Sequence, residues 1–467
     1  MKRRRTKILS LLLVMAVSFT MVFSSVGFAS AATASETKDA FTKTGDYIYD
    51  VVKEPQVGST CGEWVIYGFG HAGYPMSDAY LESYLKNLKK TIKEGHRGVE
   101  GILHDKKFTE YSRVIVALSA VGFDASNVGG YNLLEPLADF VNVKWQGMNG
   151  PIWALRAFDS GKYEVPKLTA DYAYGKLKDA ELANGVKEPS RQNSRQRMID
   201  YILANQLSDG GWSLQTKADA EAAAGYNAVS DVDMTGMAMS ALAPYRKQAK
   251  VQKALNKAIT FLSKNQHKDG GFSSWGTTNV ESCAQVICGL IACGVNPDAD
   301  ARFNKNGSTP LDALMSFYDE KVGGFRHVNT ASGGYEPVVN QMATEQAYYA
   351  LAHYYAAVPS KASLSKAAKA GSGKIKLSWK KAAVNTDYVT KKSGKTAEVS
   401  GYQIVCANDK KFSKNVKRVT VSGSKTLTRT VTGLKKGKTY YVKVRAYKLV
   451  NGKKLYGAYS KTLTAKS

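Results

Sequence analysis

Asp231 and Asp233 stand one residue apart, directly ahead of the small and apolar run Met-Thr-Gly-Met-Ala-Met-Ser-Ala-Leu242. Paired carboxylates can divide labour, one ionised and the other kept neutral as an acid. An acid that protonates carbon needs a dry cavity to hold its neutral form, and something to stabilise the anion left behind. Cationic intermediates also call for aromatic faces, which Trp64, Trp153, Tyr226, Phe272 and Trp275 would supply. The competing use of the pair is structural: one aspartate caps the helix and complements its positive end. The sequence favours capping. Asp233, with Asp231, is nevertheless its best candidate for chemistry.

Other polar residues are less eloquent. Glu110-Tyr-Ser-Arg113, Glu281 and Thr344-Glu345-Gln346 put charge at the starts of apolar segments. There they either pair across helices, the commoner arrangement, or line a ligand mouth. Trp64, Trp153, Glu281, Glu345 and Trp275 are the expected cavity residues. Cys283, Cys288 and Cys293 are spaced by five, which spreads them around a helix axis, so they read as core residues and not as metal ligands. The six histidines are scattered. No metal and no cofactor is expected.

The elements that must position these groups repeat along the chain. Asn205-Gln-Leu-Ser-Asp-Gly-Gly-Trp-Ser213 and Asn265-Gln-His-Lys-Asp-Gly-Gly-Phe-Ser273 align without a gap, sixty positions apart, and Gly323-Gly-Phe325 is a weaker third copy. Each precedes an apolar segment, ending at Leu242, Leu290 and Leu351. Three earlier segments, ending at Phe69, Leu118 and Leu155, fit the same frame. Six helices apolar nearly all round, alternating with amphipathic ones, predict two concentric rings, an all-α α6/α6 toroid over residues 40–358. The stretch from Tyr172 to Ser190 reads as a polar surface excursion.

This region resembles the terpene cyclase and protein prenyltransferase α/α-toroid superfamily, its two Asp-Gly-Gly-aromatic turns being similar to shortened squalene-cyclase repeats. Its flavour is that of secreted bacterial proteins with prenyltransferase/squalene-oxidase repeats. The resemblance implies a class II proton donor at Asp233, in the middle place of an Asp-x-Asp-Asp motif whose last acid is Met234 here. The zinc site of the prenyltransferases would require Glu281-Ser-Cys283 and His353 to converge. Thr60-Cys-Gly-Glu-Trp64 resembles a thioester motif, but Trp64 replaces the glutamine that closes the ring.

Charge divides the chain further. Of the net +26, residues from Ser360 onward carry +24 and the first seven +5, leaving −3 for the rest. Met1-Lys-Arg-Arg-Arg-Thr-Lys7, an apolar stretch to Phe23 and small-x-small sites at Ala31 and Ala34 predict a signal peptide over residues 1–31, and hence secretion with no membrane span after cleavage. The basic segment alternates as short strands, at Ile375–Trp379, Gly401–Cys406 and Lys417–Val421, with a hairpin turn at Asn451-Gly452. With Trp379 and the run Leu434, Tyr440, Val442, Val444, Ala446, it resembles a fibronectin type III domain, which implies an all-β sandwich over 359–467. Lysines without aromatic platforms argue against nucleic acid as a partner and towards anionic wall polymers or glycans.

The expectation is thus a secreted, possibly wall-associated protein that binds an apolar, isoprenoid-like or bulky ligand in its toroid. The alternative is a class II terpene cyclase or isomerase using Asp233.

Overall fold

The computed structural model describes residues 34–168, 191–218, 228–384 and 398–467. The expected signal peptide, the polar excursion before Ser190 and Tyr226 lie outside them. Among the described residues no helix is long and apolar enough to cross a membrane.

Helices α1 (Ala34–Val51), α2 (Trp64–Ala72), α3 (Asp78–Glu94), α4 (Thr109–Ala120), α5 (Asn149–Ser160) and α6 (Arg195–Ala204) open the chain. They are followed by α7 (Val232–Leu242), α8 (Ala249–Asn265), α9 (Val280–Ala292), α10 (Pro310–Ser316) and α11 (Gln341–Ala357). Helix α2 packs on α4, α4 on α5, α5 on α7, α7 on α9, α9 on α11, and α11 returns to α2. Six helices therefore close a ring, which is the toroid expected from the repeats. Helix α9 is buried at every position except Glu281 and Ala292, as an inner position requires. The outer helix α3 buries a single i, i+4 stripe of Tyr80, Tyr84, Leu88 and Ile92.

The repeated turns do the same work twice. Gln206 donates to the carbonyls of Gly210 and Ala254, and Gln266 to those of Gly270 and Phe303, so each side chain ties its own turn to the next outer segment. Gly210 and Gly270 sit at φ 101° and 89°, a backbone region closed to most side chains. Trp212, Phe272 and Phe325 are wholly buried behind these turns. Two small hairpins, β1 (Ser273–Ser274) with β2 (Thr277–Thr278) and β3 (Tyr318–Asp319) with β4 (Gly324–Phe325), precede α9 and α11.

After α11 the chain becomes all strand: β5 (Ser363–Lys369), β6 (Ile375–Lys380), β7 (Gly401–Ala407), β8 (Lys417–Ser422), β9 (Thr428–Val431), β10 (Thr439–Val450), β11 (Lys453–Tyr456) and β12 (Leu463–Lys466). One sheet runs β5-β6-β9; the other runs β11-β10-β7-β8, with β12 also on β10. Ile375, Leu377 and Trp379 of the first share one core with Tyr402, Ile404, Val442 and Val444 of the second. Asn451 and Gly452 turn the β10–β11 hairpin at positive φ. That hairpin lies against the toroid: Lys448 Nζ donates to Ala356 O (2.8 Å) and Asn451 Nδ2 to Ala292 O (2.9 Å). Both side chains meet carbonyls at helix C-termini, where cations and donors are favoured.

Candidate functional site

Because each inner helix is followed by a returning outer segment, the inner N-termini gather at one mouth and the C-termini at the other. Asp231 and Asp233 stand at the N-terminal mouth, in different roles. Asp231 is the N-cap of α7: its Oδ1 accepts the Met234 N–H (2.9 Å) and its Oδ2 the Ser274 hydroxyl. Thr235 completes the joint, accepting the Trp212 N–H (3.0 Å) and donating to Asp231 O (2.6 Å). The same joint recurs at α11, where Asn340 caps and Thr344 Oγ1 accepts the Phe325 N–H (2.9 Å).

Asp233 caps nothing. It is half-buried, with Oδ1 inaccessible to water and without a hydrogen-bond partner. Burial first, and the Asp231 charge second, push its carboxyl up to about 7. Glu281 raises it further, while Ser282 and His327 lower it. His327 Nδ1 lies 2.7 Å from Glu281 Oε2, and this hydrogen bond raises the imidazole's pKa. An acid poised near neutrality thus sits beside an imidazole–carboxylate pair and at the positive ends of α7 and α9. His327, one of the six scattered histidines, follows the third repeat turn, and that position is its only signal in the sequence.

Aromatic rings line the ring's interior. Trp64 lies 5.1 Å from Trp153 and 5.6 Å from Tyr349, centroid to centroid. Arg156 stacks on Trp153 at 4.0 Å. The Tyr349 hydroxyl meets Gln285 and Gln346. Trp64 and Trp153 thus stand on inner helices α2 and α5, and Glu281 is at the N-terminal mouth.

Two expected cavity residues are placed otherwise. Glu345 is fully buried: its Oε1 accepts the Cys61 N–H and the Gln341 amide, both at 2.8 Å, and burial pushes its carboxyl up to about 7. It holds the irregular backbone before α2 to α11, because Cys61 at φ 57° turns its N–H inward. Trp275 is 83 % exposed at the tip of the β1–β2 hairpin, whose turn aims it outward. Phe272 belongs to the repeat core. Arg113 pairs with Glu63 (2.9 Å) and Glu110, and Glu63 also takes the Tyr84 hydroxyl and the Gly58 N–H, so these charges pair across helices. Glu281, Cys283 and His353 do not converge, since His353 Nε2 is 2.8 Å from the Tyr67 hydroxyl near the opposite mouth. All five cysteines are free.

Residues 181–309 match the family model of the squalene-hopene cyclase C-terminal domain, a span that includes Asp231, Asp233 and Glu281. No curated protein sequence matches the chain. Solved structures similar to it include ent-copalyl diphosphate synthase from Streptomyces platensis, at 16% identity over 62% of this chain and 50% of that one, with TM-score 0.36. A variant of the type II terpene cyclase MstE from Scytonema, in complex with merosterolic acid A, is 15% identical over 69% of this chain and 99% of that one, with TM-score 0.39. A three-domain fragment of chicken CNTN1, FN1–FN3, is 27% identical over 24% of this chain and 32% of that one, with TM-score 0.16. The chain thus spans half of the synthase and about a third of the CNTN1 fragment.

Proposed function

We propose that the toroid is an acid chamber of the class II cyclase type, in which Asp233 protonates an alkene of an isoprenoid held inside the ring. The observation that carries this reading is Asp233 itself, a carboxyl pushed up to about 7, so that a large share stays protonated near neutral pH, with Oδ1 lacking a hydrogen-bond partner. The match of its segment to a squalene-hopene cyclase domain supports the same reading. Met234, where the family motif has its last acid, is buried in the core and cannot assist. The Glu281–His327 pair takes that place, its imidazole stabilising the Asp233 anion once the proton has left.

In this reaction the alkene π pair takes the Asp233 proton, leaving a carboxylate and a carbocation. Trp64 and Tyr349 offer faces to the cation; one face of Trp153 is already covered by Arg156. A guanidinium deeper in the ring repels positive charge. The cation is therefore discharged close to where it forms, by proton loss to the mouth, and the reaction is an isomerisation or short cyclisation. Incubation of the full chain with squalene, farnesol and geranylgeraniol tests it. Product formation that falls at least 100-fold in Asp233→Asn supports the proposal; a wild-type protein that converts none of the three overturns it.

A second reading concerns the strands. The outward side of the β5-β6-β9 sheet carries Lys366, Lys376 and Lys380, all exposed, while the other side fills the core. As a fibronectin type III-like module with this face, it would hold a secreted protein to anionic wall polymers or glycans, whether the toroid binds its ligand or converts it. Charge-driven retention is screened by salt; retention on cell walls unchanged at molar NaCl overturns it.

A further inference from the structure

The opposite mouth of the ring has its own chemistry. Ser240 stands seven residues beyond Asp233 on α7, about 10 Å along the axis. It borders a cleft of about 440 Å³ between the C-termini of the inner helices and the β10–β11 hairpin. Arg156 faces this cleft. Its guanidinium has five N–H donors, yet among the described residues its hydrogen bond is to the Tyr67 hydroxyl (3.0 Å) and its stacking partner is Trp153. No carboxylate among the described residues forms an ion pair with it. Its polar neighbours are Tyr67, His71 and His353. Burial first, and Arg156 next, lower His71 to about 4, and burial with His71 and Arg156 holds His353 well below the usual imidazole range, so both imidazoles are neutral at pH 7.

Arg156 is half-buried, and a guanidinium partly withdrawn from water without a counter-charge carries a cost. Helix C-termini offset part of that cost, but the carbonyls of Ala356 and Ala292 are met by Lys448 and Asn451, not by Arg156. Lys448 brings a second cation to the cleft wall, where burial lowers its pKa. Apolar wall is supplied by Ile291 and Ala357 from the toroid and Leu449 and Val450 from the sandwich. The cleft thus pairs unspent cationic donors with apolar surface.

We propose that this cleft binds an amphiphilic organic anion, its carboxylate or phosphate on Arg156 and its apolar body against Ile291, Leu449 and Val450. The site is independent of the acid at the other mouth. Its ligand is recognised only where toroid and sandwich meet, which gives the strand module a part in binding.

Titration calorimetry of the full chain tests this with sodium octanoate and octyl phosphate, using inorganic phosphate and octanol as head-only and tail-only controls. At least one amphiphile is expected to saturate a single site at least tenfold more tightly than either control, and the tighter of the two assigns the head group. Arg156→Gln is expected to weaken it at least tenfold. Ser240→Phe, which fills the cleft without touching its charge, is expected to abolish binding. Amphiphiles that bind no tighter than octanol overturn the proposal, as does wild-type affinity in Arg156→Gln. Should Arg156→Gln not fold, wild-type affinity in Ser240→Phe overturns it equally. Asp233→Asn is expected to bind the tighter amphiphile as the wild type does, so failure here and failure of the cyclase reading are told apart.

Discussion

Asp231 and Asp233, one residue apart, meet different surroundings: the first caps α7, and the second caps nothing. Asp231 accepts the Met234 amide and the Ser274 hydroxyl as the cap of α7. Asp233 has no such donor on Oδ1, is enclosed, and feels the Asp231 charge. The cap of the helix therefore helps to keep the acid of the helix protonated.

Asp231→Asn separates the two causes. Asparagine caps as well as aspartate, so α7 keeps its start while the neighbouring charge is removed. The Asp233 pKa is expected to fall from about 7 but to stay above 3.8, because burial is the larger cause. Carbon-detected NMR of labelled aspartate reads the midpoint; no movement would assign the whole shift to burial.

The same shift makes stability depend on pH. A carboxyl whose folded pKa lies above its unfolded value stabilises the fold below the unfolded pKa and loses that contribution as pH rises through the folded one. For Asp233 the window runs from 3.8 to about 7, and Glu345 adds a loss of the same sign from 4.5 to about 7. Asp233→Asn mimics the neutral acid at every pH. It is expected to match the wild type at pH 4 and to exceed it at pH 8 by on the order of 2–4 kcal/mol. Urea denaturation at the two pH values checks this, and an equal difference at both would contradict it.

The ring was legible because its signals are local and repeated. Buried helices such as Val280–Ala292 are apolar nearly all round, and the Asp-Gly-Gly turns fix their spacing. Capping by Asp231 was legible for the same reason. The site was only half legible. Glu345 and Trp275 look alike as polar or aromatic residues near helix starts. Their fates depend on the φ 57° bend at Cys61 and on the outward tip of a six-residue hairpin, which composition does not encode. His327 and Arg156 gain meaning only from partners 46 and 89 residues away, Glu281 and Tyr67. No sequence period joins them.

Arg113→Met tests the buried network at the N-terminal mouth. Glu63 is wholly inaccessible and takes three donors, of which Arg113 alone is charged. Removing that partner leaves a buried carboxylate uncompensated, a loss of about 3–5 kcal/mol at pH 7. Lowering the pH protonates Glu63 and should return part of it. Glu63→Gln in the Arg113→Met background should also recover stability, and a double variant no better than the single would place the loss in packing instead.

Gly289→Ala measures how tightly the ring is closed. Alanine favours a helix over glycine by about 1 kcal/mol, so on α9 alone the change would stabilise. A Cβ at this position, however, would stand 2.7 Å from Gly236 O and 2.9 Å from its Cα on α7. Those are backbone atoms of a neighbouring inner helix and cannot rotate aside. Forcing the two helices apart costs about 1–3 kcal/mol, so the contact outweighs propensity and the variant should be less stable than the wild type by chemical denaturation. The separation would fall midway between the acid at Asp233 and the cleft at Ser240, both on α7. A Gly289→Ala protein more stable than the wild type would mean that α7 and α9 do not meet there.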